Sequence, residues 1–111
     1  MEKEQYVSLE TSQLLTEKGF DWDTDKVYER NIMACRYEDY PMPTQATACR
    51  WLREEKGIHI LPEISEVKEN PKYYCMIWNT TNLESFIVDL FGSYEDAVEA
   101  ALQYALKNII K

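Results

Sequence analysis

The stretch Tyr73-Tyr74-Cys75-Met76-Ile77-Trp78-Asn79-Thr80-Thr81-Asn82, continued by Phe86-Ile87-Val88-Asp89-Leu90-Phe91 and by Ser93-Tyr94-Glu95-Asp96-Ala97-Val98, holds the change of period that decides the fold. As far as Phe91 the residues are β-branched and aromatic, and Phe86, Val88 and Leu90 alternate as one face of a strand. Asn79 to Asn82 is turn chemistry, so Tyr73–Asn79 and Phe86–Phe91 are expected to form a hairpin. After Gly92 the period becomes 3.6. Tyr94, Ala97, Val98, Ala101, Leu102, Ala105 and Ile109 form one helical stripe. Glu95, Glu99, Gln103 and Lys107 are expected on the opposite, wet side. The helix should run from Tyr94 to Ile110, capped by Ser93, with Asp96 three residues on as a variant capping box.

Two further helices are marked by their ends. Ser8 caps one over Leu9–Lys18, and Gly19 supplies the left-handed residue that stops it, with Phe20 folding back onto Leu15. Thr44 caps the other over Gln45–Lys56, and Gly57 stops it. Ala48, Cys49, Trp51 and Leu52 face inward there. The repeated Glu-Lys-Gly-apolar signature, Glu17–Phe20 and Glu55–Ile58, reads as the same capping chemistry used twice. Ile58–Leu61 reads as a strand ended by Pro62, and Glu63–Asn70 as a loop or an extension of it. Phe20–Met42 is too long for a bare connection in a compact domain, so one strand is expected near Ile32–Tyr37. The order becomes α-β-α-β-β-β-α. The fold class is α+β: a small, mostly antiparallel sheet of three or four strands covered by three helices. With 111 residues, one domain over residues 1–111 is expected.

The acid-base balance excludes several functions. Twenty acidic and 12 basic residues leave a net charge of −8, which argues against direct nucleic-acid binding. Tyr73–Trp78 is the longest apolar run, and six residues cannot span a bilayer. The N-terminal MEKEQY has no apolar signal core, so a cytoplasmic location is expected, with Cys35, Cys49 and Cys75 as reduced thiols.

No catalytic set stands out. Asp21, Asp23 and Asp25 alternate as in an EF-hand loop, but Lys26 occupies the sixth position and Ile32 the twelfth, where Gly and Glu belong. A solvated acidic turn is the expected reading. His59 is the only histidine, no Cys-x-x-Cys occurs, and three dispersed glycines cannot build a phosphate loop. A pairing of Cys49 with His59 has no orienting partner in sequence. No catalytic residue, metal ligand or cofactor is assigned. The surplus lies in the aromatics, and Trp22, Tyr28, Tyr37, Tyr40 and Tyr73 are the candidate partner contacts.

Pro43-Thr44-Gln45-Ala46, Trp51-Leu52-Arg53-Glu54 and Gly57-Ile58-His59-Ile60 resemble a small uncharacterised protein family found in phages and prophages of gut Bacteroidetes. Leu14-Leu15 with Glu17-Lys18-Gly19-Phe20, and Ser93–Leu102, are similar to the same group, so that about half the chain is covered. Glu55-Lys56 departs from it, where many relatives carry His-Asn. The resemblance implies a mobile-element context and an intracellular location, and it implies no catalytic residue. The function expected is that of a non-enzymatic protein-interaction module. Its partner is a protein, a second copy of the chain included, and neither nucleic acid nor a membrane. Two alternatives stand beside it: a nucleic-acid-mimicking inhibitor of a host enzyme, and an enzyme with an unrecognised metal site.

Overall fold

A computed structural model describes residues 5–32, 36–65 and 72–110; within these, the side chains of residues 28–32, 36–39 and Leu90 are outside the description. The elements run α1 (Leu9–Glu17), β1 (Val27–Ile32), β2 (Arg36–Pro41), α2 (Gln45–Lys56), β3 (Ile58–Ile64), β4 (Tyr73–Asn79), β5 (Glu84–Phe91) and α3 (Tyr94–Tyr104). A π turn over Ala105–Ile109 continues α3. The fold class is α+β, as expected. No helix among the described residues is long and apolar enough to cross a membrane.

The helix ends follow the local chemistry. Ser8 Oγ accepts the Thr11 N–H, Thr44 Oγ1 accepts that of Thr47, and Ser93 Oγ accepts that of Asp96. After α1, Gly19 adopts φ 95°. Its N–H returns to the Thr16 carbonyl while that of Phe20 returns to Leu15, the paired bonds of a Schellman motif. Leu15 and Phe20 are both buried, which supplies the apolar contact of that motif. Gly57 ends α2 at φ 68°, ψ 25°.

β3, β4 and β5 form one antiparallel sheet in the order β3-β4-β5. Asn79 and Asn82 shape the hairpin between β4 and β5: the Asn79 side chain accepts the Thr81 N–H, and that of Asn82 accepts the Glu84 N–H. An irregularity opposite Tyr73–Cys75 places Val88 across from Cys75 and Phe91 across from Tyr73. One extra residue in β5 therefore shifts its phase, and Phe91 joins Phe86 and Val88 against the core. Pro62 does not end β3. The strand continues to Ile64, because β3 is an edge strand whose missing donor costs no ladder bond. Of the segment Glu63–Asn70, residues 66–70 lie outside the described residues.

The single strand expected near Ile32–Tyr37 is two strands, β1 and β2, paired antiparallel from Val27↔Pro41 to Ile32↔Arg36. Both are rich in polar residues and give no apolar alternation, so the sequence pattern could not separate them. They form a sheet of their own, whose main contact with the rest is β2 against α1. The Ser12 hydroxyl, buried on α1, donates to the Pro41 carbonyl there.

The core lies between α3, α2 and the inner face of β3-β4-β5. Of the expected stripe Ala97, Ala101, Leu102 and Ala105 are fully buried, joined by Leu106, whereas Tyr94 at its start is 48% exposed. The alanines let α3 lie close over Cys75 and Ile77 of the central strand, which are also fully buried. Each buried Leu contributes about 2 kcal/mol.

Glu99 is not on a wet side. Its carboxylate is half-buried and gathers four donors. The Ser8 N–H (3.0 Å), Ser8 Oγ (2.8 Å) and the Thr11 hydroxyl donate to Oε2. Gln45 Nε2 donates to Oε1 at 3.0 Å. An α3 carboxylate thus sits at the start of α1, where free N–H groups and the helix dipole favour negative charge, and it also holds the first residue of α2.

Candidate functional site

In β3 and β4 the strand period places side chains alternately on two faces. Ile58, Ile60, Cys75 and Ile77 join the core on one face, and Phe86 and Val88 of β5 pack beside them. The register sets three outward rows across the sheet: His59–Trp78–Ser85, Leu61–Met76–Ile87, and Glu63–Tyr74. Leu61, Trp78 and Ile87 are 45%, 40% and 67% exposed. Three large apolar side chains at the surface of one three-stranded face form a patch, not scattered exceptions. Glu63 and Asp89 flank it on the outer strands, with Lys72 at one end, all exposed.

The run Tyr73–Trp78 carries this meaning in the sequence. A strand with one wet face alternates apolar and polar residues, whereas a strand covered on both faces reads as a continuous apolar run. β4 reads as the second kind, yet among the described residues the helices pack on only one of its faces. Its lack of alternation is the signal that identifies the outer face.

The candidate aromatics are placed elsewhere. Trp22 is half-buried, its ring 6.2 Å from Phe20 and 4.8 Å from the Arg50 guanidinium of α2. Tyr73 packs edge-on against Tyr94, with ring centroids 6.1 Å apart, and against the core. Tyr40 is half-buried. The side chains of Tyr28 and Tyr37 lie outside the described residues. Trp22 and Tyr73 are thus packed against other rings of the fold, and Trp78 and Tyr74 are the aromatics in the outward rows of β4.

A cleft of about 500 Å³ opens on the helical side, between the starts of α2 and α3 and the middle of β3. Cys49, Arg53, Ile60, Pro62 and Tyr94 line it. Burial pushes the Cys49 thiol from 9.0 up to about 12, with a smaller push from Cys75. A thiol held protonated in this way is a poor nucleophile. His59 is on the opposite face of β3 from this cleft, so Cys49 and His59 are not brought together. Asp21, Asp23 and Asp25 are exposed, and a smaller recess of about 200 Å³ takes in only Asp23 and Asp25 of the three. No group of three His, Cys, Asp or Glu side chains converges among the described residues.

No protein-family model, curated protein or solved structure matches this chain.

Proposed function

We propose that the protein is a non-enzymatic interaction module of the cytoplasm, in a mobile-element context, and that the outer face of β3-β4-β5 docks a protein partner. The observation that carries this reading is the uninterrupted apolar run of β4, on only one side of which a helix packs among the described residues. Burying Leu61, Trp78 and Ile87 supplies the favourable area, with the aromatic as anchor. Charge selects the partner. The chain is at −8 and the rim of the patch is acidic on balance, so the complementary surface is apolar at its centre and basic at its rim. A second copy laid face to face would set like-charged rims against each other.

The test is site-specific photocrosslinking in cells of the host, with the reactive residue at Leu61 or Ile87, or at exposed Glu55 on α2 as the control. Support requires one protein captured from both sheet positions and not from Glu55. With that protein purified, Trp78→Ala should weaken binding by about tenfold or more. Rising NaCl should weaken it further, as charge complementarity demands. Equal capture from Glu55, or affinity indifferent to Trp78→Ala, would overturn the proposal.

A further inference from the structure

The strand order leaves β5 at the end of its sheet, with no strand beyond it among the described residues. The opposite edge, β3, carries Pro62 and lacks one donor. β5 carries no proline, and Ile87 is its most exposed large hydrophobic among the described side chains, at 67%. An open, apolar edge strand is a template for another strand unless charge or curvature blocks it. Here the extra residue after Val88 limits the regular stretch to Glu84–Val88.

We infer that two copies of this chain pair through β5, antiparallel about a two-fold axis at Phe86, joining their sheets into one of six strands. The occupant of the edge is a second copy because the sequence of β5 is self-complementary in this register. Glu84 falls opposite Val88 of the second copy, Ser85 opposite Ile87, and Leu83 opposite Asp89. No carboxylate of the strand meets another, although each chain carries −8. Pairing of β5 with β3 of another copy would place the strand against Pro62 instead. The two-fold arrangement is closed and isologous, the commonest solution for a soluble homo-oligomer. It also brings Ile87 beside Ser85 and Trp78 of the second copy, so the apolar rows run on across the axis. This pairing stands on the edge alone and holds whether or not the outer face docks a partner.

Edge pairing over five residues buries little, so the dimer is weak, with a Kd on the order of 10–100 µM. Sedimentation equilibrium of the full chain from about 5 to about 500 µM should show reversible monomer and dimer. Added NaCl should tighten the dimer, since screening relieves the repulsion between two acidic chains. Ile87→Lys should raise Kd about tenfold or more, with the far-ultraviolet spectrum and melting temperature retained. Leu61→Lys, on the same face but on β3, should leave Kd unchanged; its loss of dimer would mean face-to-face association and would overturn edge pairing. In a Cys35→Ser background, a mixture of Ser85→Cys and Ile87→Cys chains should cross-link as the mixed dimer, faster than either alone. A monomer throughout the range, or equal cross-linking of like and unlike chains, would also overturn it.

Discussion

Glu99 carries more of the fold than its place in the helical pattern suggests. By periodicity it falls with Glu95 and Lys107, and only the fold shows that Ser8, Thr11 and Gln45 all donate to it. Ser8 is 91 residues away along the chain, and no local pattern reports a contact of that separation. Glu99→Ala should cost about 2–3 kcal/mol, because several buried donors lose a charged acceptor at once, whereas Glu95→Ala should stay within about 0.5 kcal/mol. Urea denaturation of the two variants checks this; equal midpoints would remove Glu99 from its role. Cys49 has a different signature. In the unfolded chain its thiol ionises near 9.0 and in the fold near 12. Below pH 9 both states keep the proton, so its contribution is fully present. Above pH 9 the unfolded state loses a proton that the fold retains, and stability falls as pH rises toward 12. Cys75, raised to about 11, acts in the same direction. Cys49→Ala should therefore make the decline of melting temperature between about pH 9 and pH 11 shallower. An unaltered slope would show that the thiol does not report this burial.

At the level of elements, whatever is local was legible. The ends of α1 and α2 were marked by Ser8, Gly19, Thr44 and Gly57 because a cap is a contact over three to five residues. The inner face of α3 was marked because its alanines and leucines share one side. The β1–β2 pair was not, because Tyr28-Glu29-Arg30-Asn31 and Tyr37-Glu38-Asp39-Tyr40 carry no apolar alternation. The candidate site was half legible. The apolar run of β4 was in plain view, but which of its faces lacks a cover depends on where the helices pack. Turn residues offer the sharpest tests at this scale. Gly57 has φ +68°, and a Cβ there would stand 3.0 Å from Thr80 Oγ1 and 3.3 Å from Thr81 Oγ1. Gly19, at φ +95°, has open space around it. Gly57→Ala should thus cost about 2 kcal/mol and Gly19→Ala about 1 kcal/mol, the second from backbone strain alone. Leu83, at φ 61° and 82% exposed, is strained without burying anything. Leu83→Gly should stabilise the hairpin by about 0.5–1 kcal/mol, measured by thermal melting. A loss of stability would show that the side chain is held by contacts outside the turn.

Taken whole, the molecule measures 52 × 35 × 24 Å, with a radius of gyration of 15.1 Å. A compact chain of this length would have about 13 Å. The elongation accords with a β1–β2 hairpin held mainly through α1, while the buried residues form one cluster drawn from α1, α2, α3 and the larger sheet. Calorimetry should show one cooperative transition for that cluster, and amide exchange should show the hairpin opening at lower free energy. Two resolved heat peaks would contradict a single domain over residues 1–111. The proline in β3 has a consequence at this scale. A strand-by-strand polymer needs two live ends, one to accept and one to be accepted. Pro62 removes a donor from the β3 edge, so in the proposed pairing the β3-β4-β5 sheet offers a second copy one fully donating edge, that of β5. If β5 pairs as proposed, the apolar edge that would make a longer sheet prone to fibres is used once, and crowding this protein is expected to give pairs instead of filaments.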